Sequence, residues 1–340
     1  MNWRRLARAT LALSIFLVSA WGALALWFQL APAPALLLGA AWCLLGLAAA
    51  LALLRAPGWP HEHKLLLAAA LAGLSMLGWW QSLTPSHDRP WADDVARLLE
   101  STVDGDRLEL RNVRAFEWRT ETDYTPRWET RRYDLAKLES ADLVLSYWMG
   151  PHIAHTLVSF GFSDGQRLVF SLEIRKERDE SFSALGGFFR KFEQVIVAAD
   201  ERDLIRTRSN ARGEQVYLYR LRATPAQLRS VLLDYLERAE QLRGQPEFYN
   251  TLTSNCTTVL FELARHIDPT LPLDYRLLAS GHFAEYAYDQ GALTPGLSYA
   301  QLRQRGHINA RARKSGIEAD DFSRAIRVGV PGMAPADGAR

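Results

Sequence analysis

The sequence predicts an α+β protein in which three N-terminal transmembrane helices precede a soluble domain. Two long uncharged runs predict the membrane part: 46 residues lie between Arg8 and Arg55, and 19 residues run from Leu65 to Leu83. After residue 105, short alternating apolar runs give way to helical periodicity, a pattern typical of strands followed by helices. A chain of 340 residues is long enough for about two domains.

The composition excludes several classes of protein and conceals an uneven distribution of charge. The net charge is +2, and the chain has two cysteines. Nucleic-acid binders are usually strongly basic, and two cysteines cannot form a disulfide-rich scaffold or a cysteine-based zinc site. Residues 1–84 contain five Lys or Arg and one Glu, so this segment carries +4 and the remainder carries −2.

The first uncharged run is about twice the length of one membrane span, which needs about 20 apolar residues. Pro32 and Pro34 interrupt it, and prolines at this spacing end a helix. We therefore predict a membrane segment over residues 1–84, with spans near 8–29, 35–54 and 65–83. A cleaved signal peptide is the competing interpretation of the first span, but two further spans follow it.

Basic residues predict the orientation of these spans. Arg4, Arg5 and Arg8 precede the first span, and Arg55 and Lys64 flank the loop between the second and third. The positive-inside rule places the N-terminus and this loop in the cytoplasm. Three spans then deliver the rest of the chain to the opposite side of the membrane.

The remaining chain is predicted to contain a connector over 85–104, a domain over 105–325 and a disordered tail over 326–340. The tail is rich in Gly, Pro and Ala. Helices are expected from Thr224 and from Asn255, where helix-starting residues precede apolar positions at helical spacing. The strand candidates are 108–110, 113–118, 143–145, 153–162, 168–174, 195–198 and 216–221.

The domain contains a single cysteine, Cys256, directly after Thr253-Ser254-Asn255. This position predicts the first turn of a helix, where backbone amides and the helix dipole favour a thiolate. Cys43 lies in the middle of a span, where a small apolar residue is sufficient explanation. The alternative for Cys256 is also structural, as a small buried residue that packs a helix against a sheet.

A hairpin predicted over residues 153–174 supplies a base for this thiol. Ser163-Asp164-Gly165 is a turn signal, and Gly165 suits the left-handed position of a three-residue loop. With that loop, paired positions sum to 328, so His155 lies opposite Glu173. Opposed side chains on one face of a hairpin are in contact range.

A carboxylate beside an imidazole fixes its tautomer and raises its basicity. His155 is therefore the predicted base, and Glu173 is the predicted orienting group. His152 is the second choice as base, because it lies next to Pro151 at the start of the strand. A satisfied core histidine is the alternative for His155. For Glu173, the alternatives are a solvated surface charge or an ion-pair partner of Arg175.

Several blocks around these residues resemble the bacterial Lnb N-terminal periplasmic domain family. The likeness spans about residues 105–267, with the blocks in the family's order. They are Ser146-Tyr147-Trp148-Met149-Gly150-Pro151-His152-Ile153-Ala154-His155-Thr156, Leu172-Glu173-Ile174-Arg175-Lys176-Glu177, Ala199-Asp200-Glu201-Arg202-Asp203, Tyr249-Asn250 and Ser254-Asn255-Cys256-Thr257-Thr258.

The resemblance implies a circularly permuted papain-like fold, because the histidine precedes the cysteine in the chain. The family's Cys and His correspond to Cys256 and His155, and Glu173 is our choice for the third member. Named members are lipoprotein N-acyltransferases, so the resemblance implies an inner-membrane protein with a periplasmic domain. It would move an acyl chain, through a cysteine thioester, to the N-terminal amine of a lipoprotein.

The implied partners are a phospholipid or diacylglyceryl acyl donor, a lipoprotein acceptor and the bilayer, with no nucleic acid, metal or cofactor. The candidate substrate-binding residues are Trp148, Phe160 and Phe261, which would line an apolar slot, and Arg175, which would meet a phosphate headgroup. Two alternatives stay open. The same Cys–His pair could hydrolyse peptidoglycan peptides or lipid esters, or the domain could be a non-enzymatic envelope scaffold.

Overall fold

The computed structural model of the protein describes residues 3–55, 61–315 and 319–333. Its contacts divide the chain into two compact units. The membrane unit comprises Met1–His87, Ser183–Phe192 and Phe248–Asn250. The sheet unit comprises Asp88–Phe182, Glu193–Glu247 and Thr251–Arg340.

Three helices form the membrane unit: α1 (Trp3–Gln29), α2 (Pro32–Leu54) and α3 (Glu62–Ser82). Each is long and apolar enough to cross a membrane, which confirms the three predicted apolar helices. α2 begins at Pro32 rather than near residue 35, because proline is tolerated in the first turn of a helix. The Trp42 indole donates to the Ser19 carbonyl at 2.9 Å, so α1 and α2 are in close contact.

The sheet unit contains a mixed, mostly antiparallel sheet of eight strands, in which β5 pairs with β2 beside the strand order β1-β2-β9-β8-β7-β6-β10. β3 and β4 form a separate pair, and β2 pairs with β9 in parallel. The strands are β1 (Glu100–Asp104), β2 (Arg107–Arg114), β3 (Glu117–Trp118), β4 (Tyr124–Thr125), β5 (Trp128–Asp134), β6 (Leu138–Tyr147), β7 (Ala154–Phe162), β8 (Arg167–Arg175), β9 (Glu193–Ala199) and β10 (Gln215–Arg220).

Helices cover both faces of this sheet. α5 and α6 pack on one face, and apolar residues of α4, α9 and α10 join the core on the other. α5 and α6 each begin with a capping box, at Thr224 and Asn255 as predicted. The helices are α4 (Glu201–Arg206), α5 (Pro225–Gly244), α6 (Cys256–Ile267), α7 (Phe283–Asp289), α8 (Tyr299–Gly306), α9 (Asn309–Lys314) and α10 (Ala319–Ala325).

The predicted β7–β8 hairpin has the predicted register. Leu157 pairs with Ser171, which satisfies the expected sum of 328. Phe162 N–H donates to the Gln166 carbonyl at 3.1 Å, and Gly165 has a φ of +87°. The three-residue loop with a left-handed glycine is therefore confirmed.

The prediction of a disordered tail from residue 326 is wrong for residues 326–333. Ile326 and Val330 are buried in the core, and the buried Arg327 guanidinium binds Asp142 and Glu201. Ile326 and Val330 are four residues apart, and both pack into the core in spite of the Gly- and Pro-rich composition of the segment. Residues 334–340 lie outside the described residues. The predicted connector also takes part in the fold, since Trp91 is buried.

Candidate active site

The open end of the β7–β8 hairpin brings His155 and Glu173 together. The last paired residues of the ladder are Leu157 and Ser171, so the strands separate beyond them. His155 and Glu173 are the next positions on the same face of each strand. The distance from His155 Nε2 to Glu173 Oε1 is 3.2 Å.

Ser171 bridges this pair, and sequence reasoning missed it. Its Oγ lies 2.6 Å from His155 Nε2 and donates to Glu173 Oε1 at 2.8 Å. A hydroxyl has one proton to donate, so Ser171 accepts its other hydrogen bond from Nε2–H of His155. This arrangement fixes a proton on Nε2 and leaves Nδ1 as the ring nitrogen available to a thiol.

Arg208 holds the carboxylate from the other side. Its Nη2 donates to Glu173 Oε1 at 2.9 Å, and its guanidinium also lies 3.5 Å from Glu214. Arg208 is buried on a single π-helical turn, Thr207–Ala211, directly after α4. Such turns are often found at functional sites.

Burial acts to raise the pKa of Glu173. The charges of His155 and Arg208, and the hydrogen bond from His155, outweigh it and hold that pKa well below its usual range. Glu173 is therefore ionised at neutral pH, so it is able to orient the imidazole and to stabilise its charged form.

Cys256 occupies the first position of α6, as predicted. The Asn255 side chain caps this helix by accepting hydrogen bonds from the amides of Thr257 and Thr258, at 2.8 and 3.0 Å. Two first-turn amides are thus occupied. Within the described part of the chain, the Cys256 amide has no hydrogen-bond partner. It is the amide that remains free to bind a developing oxyanion.

The thiol faces the gap in the hairpin. Thr156 lies just beyond the residues of β7 that pair with β8. Its N–H donates to Cys256 Sγ at 3.5 Å. This contact places the thiol beside His155, the neighbour of Thr156 in the chain, and the charges of Cys256 and His155 shift each other's pKa. The residue as a whole is half-buried.

The electrostatics of this pair favour a thiolate and an imidazolium. Burial acts to raise the pKa of Cys256, but the His155 charge and hydrogen bonds from His155 and Thr156 outweigh it and lower that pKa. Burial and the Arg208 charge act to lower the pKa of His155, but Glu173 and the Cys256 thiolate raise it to about 9. The two groups titrate as a pair.

The structure corrects two of the predicted substrate contacts. Phe160 is fully buried and packs edge-on against Phe170 and Tyr235. Phe261 is also buried, against Tyr286. Both side chains belong to the core, so neither is available to line an open apolar slot.

Arg175 is also wrong as a phosphate contact. It is buried, donates to the carbonyls of Val95 and Ala96, and its guanidinium lies 4.3 Å from the Trp91 ring centroid. Burial lowers the pKa of Arg175 to about 10, against the opposing charge of Glu193. These contacts anchor the segment before β1.

Two other predicted residues lie at the surface. Trp148 is half-exposed and meets the Phe182 ring edge-on, with centroids 5.9 Å apart. It remains a candidate substrate contact. His152, the second-choice base, is hydrogen-bonded through Nδ1 to His282 Nε2 at 2.8 Å. Among the described residues, no group of three or more His, Cys, Asp or Glu is able to hold a metal ion.

The fold and this site define a class of protein. It has an α+β domain in which a thiol, an imidazole and a carboxylate lie together, on a chain with three apolar helices. Residues 124–281 match the family described as the Lnb N-terminal periplasmic domain. The matched range includes His155, Glu173 and Cys256. No curated protein and no solved structure matches the chain. The match and the three apolar helices together indicate a membrane-associated protein with a periplasmic domain.

Proposed function

We propose that this protein is a membrane-anchored periplasmic thiol acyltransferase that acylates the N-terminal amine of lipoproteins. One observation carries the proposal. A half-buried thiol at the start of α6 accepts a hydrogen bond from the Thr156 amide, beside a histidine whose Nε2 is held by Glu173 and Ser171. A nucleophile next to a base that is itself held by an orienting group is typical of covalent catalysis.

In the first half-reaction, the Cys256 thiolate attacks an ester carbonyl carbon of a phospholipid or of a diacylglyceryl group. The Cys256 amide stabilises the oxyanion that forms. The C–O bond then breaks, and the His155 imidazolium gives its Nδ1 proton to the leaving oxygen, which departs as an alcohol. The acyl chain remains on Sγ as a thioester.

In the second half-reaction, the α-amine of a lipoprotein's terminal cysteine attacks the thioester carbonyl. Neutral His155 takes a proton from the amine, and the thiolate leaves as the amide forms. Glu173 stabilises the imidazolium that results, and Arg208 keeps Glu173 ionised. The net change moves one acyl group from oxygen to nitrogen, and no metal or cofactor takes part in these steps.

The proposal includes a fold and an orientation. A circularly permuted papain-like domain is supported by a cysteine helix, α6, that packs against β7 and β8, the strands that carry His155 and Glu173. A cytoplasmic N-terminus and three spans are supported by the basic residues before α1 and by the lengths of the helices. An insoluble acyl donor also favours a domain tethered to the bilayer.

Intact-mass analysis of the full-length protein in phospholipid nanodiscs tests the proposal. We expect the wild type to gain the mass of one acyl chain and Cys256→Ser to gain none. Cys43→Ser is the matched control and should acquire the adduct, because Cys43 lies within α2. Addition of a diacylglyceryl-cysteine peptide should remove the adduct and yield an N-acylated peptide.

Other outcomes assign the rival functions. Adduct formation that is discharged by water alone, or cleavage of muropeptides without any adduct, would indicate a hydrolase. If no adduct forms and Cys256→Ala cells show wild-type lipoprotein acylation, the domain is a scaffold. The position of Cys256 Sγ against the Thr156 amide, next to His155, supports an enzymatic role over that last alternative.

A further inference from the structure

Residues 183–192 lie between β8 and β9 in the chain but belong to the membrane unit. Their contacts with α1 involve its last two residues. Gln29 Nε2 donates to the carbonyls of Phe189 and Arg190, at 2.7 and 2.9 Å. The rings of Phe28 and Phe189 stack with their centroids 5.5 Å apart. The segment is therefore held at the C-terminal end of α1.

Arg190 attaches the same segment to α3. Its Nη1 donates to the Trp80 carbonyl at 2.7 Å, and its guanidinium lies 4.7 Å from the Trp80 ring centroid. Arg190 has a φ of +53°, a left-handed conformation that non-glycine residues seldom adopt. Its backbone is thus committed to a tight turn directly after the short helix Gly186–Phe189.

These contacts fix the depth of the segment. The ends of membrane-spanning helices lie at the interface of the bilayer, where tryptophan is enriched. A loop bound to the ends of both α1 and α3 lies at that same level. Phe189 of this loop is buried, but Leu185 and Phe188 are 48% and 38% exposed.

We propose that residues 183–192 form an interfacial loop that inserts Leu185 and Phe188 into the periplasmic leaflet of the bilayer. Phospholipid is the chosen occupant because the loop's position at the span ends is at headgroup level. Apolar side chains followed by basic ones, here Arg190 and Lys191, suit the boundary between acyl chains and phosphates. The inference rests on the three helices crossing a membrane in the proposed orientation and does not depend on acyl transfer.

Depth-dependent fluorescence quenching tests the loop in the full-length protein in nanodiscs. In a Cys43→Ser, Cys256→Ser background, Leu185→Cys and Phe188→Cys are each labelled with bimane. Val103→Cys is the matched control, because Val103 is 43% exposed in β1 of the sheet unit. We expect nitroxide phospholipid to quench the labels at 185 and 188 several-fold more than the label at 103, and aqueous iodide to show the reverse.

Equal quenching by iodide at all three positions, without quenching by the nitroxide lipid, would overturn the proposal. A second measurement needs no substitution. The wild-type protein is irradiated with a phospholipid that carries a diazirine in its acyl chain, and the adducts are mapped by peptide mass. Adducts on the peptide that contains Leu185 and Phe188 are expected. Adducts confined to α1, α2 and α3 would show that the loop faces water or protein.

Discussion

Two buried arginine–carboxylate networks adjoin strand β7, and only one of them ends in a nucleophile. Arg327 binds Asp142 and Glu201, both fully buried. Arg208 binds Glu173, which faces His155 and then the half-buried Cys256. The first network is closed by matched charges, whereas the second leads to a half-buried thiol. Buried ion pairs therefore do not mark a site by themselves.

The difference lies in the partners of the carboxylates. In the closed network, burial acts to raise the pKa of Glu201, and the Arg327 charge outweighs it and lowers that pKa. Both partners keep their charge over the physiological range. In the open network Glu173 meets an imidazole, and its carboxylate helps to raise the pKa of His155 to about 9. A titratable partner, the His155 imidazole, beside a half-buried nucleophile distinguishes the site.

The largest expected effect comes from removing that proton carrier. His155→Gln should slow formation of the acyl adduct by about 10²- to 10⁴-fold, the usual contribution of a general base. Time-resolved intact mass measures the rate, and a melting curve checks the fold. His152→Gln is the control and should acylate near the wild-type rate, since His152 pairs with His282. A wild-type rate for His155→Gln would exclude His155 as the base.

Next in size is a break in the closed network. Arg327→Met leaves the buried Glu201 without its arginine, while Asp142 keeps Arg220. The free energy of unfolding should therefore fall by about 3–5 kcal/mol. A denaturation curve monitored by intrinsic fluorescence measures this loss of stability. Iodoacetamide should still label Cys256 at the wild-type rate in the folded fraction.

Arg208→Met is the matched substitution in the open network. Its loss of stability should be smaller than that of Arg327→Met, because Glu173 keeps His155 and Ser171 as partners. The rate at which iodoacetamide labels Cys256 in this variant should differ from the wild-type rate. If the two variants behaved alike in both measurements, the distinction between the networks would fail.

A third expected effect is the pH dependence of the open network. The lowered pKa of Cys256 should keep its alkylation by iodoacetamide fast at pH values below the ordinary thiol pKa of about 8.5. The pKa of His155 is raised from 6.5 to about 9. Its contribution to stability is thus fully present below pH 6.5 and is lost as the pH rises through about 9.

Alkylation rates and unfolding midpoints measured across this range check both statements. His155→Gln should move the alkylation midpoint of Cys256 upward, towards that of a free thiol. An unchanged midpoint in that variant would mean that the helix start alone activates the sulfur.

The smallest expected effect concerns the cap of α6. Asn255→Ala should cost about 1 kcal/mol in the free energy of unfolding, the typical value for a lost N-cap. Thr224→Ala removes the corresponding cap of α5 and should cost a similar amount. Only Asn255→Ala frees the amides of Thr257 and Thr258 beside the thiol, so only this variant should alter the alkylation profile of Cys256.

Local chemistry made part of the site predictable from the sequence. The register that opposes His155 and Glu173 depends on a three-residue loop with a glycine, and fewer than twenty residues separate the two. Asn255 likewise fixes the start of α6 and so the place of Cys256. Ser171 was within reach of the same argument, because it lies two residues before Glu173 on the same face of β8.

Other features depend on contacts distant in sequence. Arg208 reaches Glu173 only through α4 and a π-helical turn, which no local pattern indicates. Phe160 and Phe261 proved to be core residues, because an apolar side chain in the sequence looks the same in a core and in a slot. The burial of Arg327 could not be predicted, because its segment has the composition of a disordered tail.

The composition of the membrane unit has a practical consequence for how this protein is cut or fused. The chain returns to that unit twice after α3, at Ser183–Phe192 and at Phe248–Asn250. A truncated chain that begins at His87 would lack Phe28 and Trp80, so Phe189 and Arg190 would lose these partners. The three helices are therefore not an exchangeable tether. A chimera that replaces them must retain the last turns of α1 and α3.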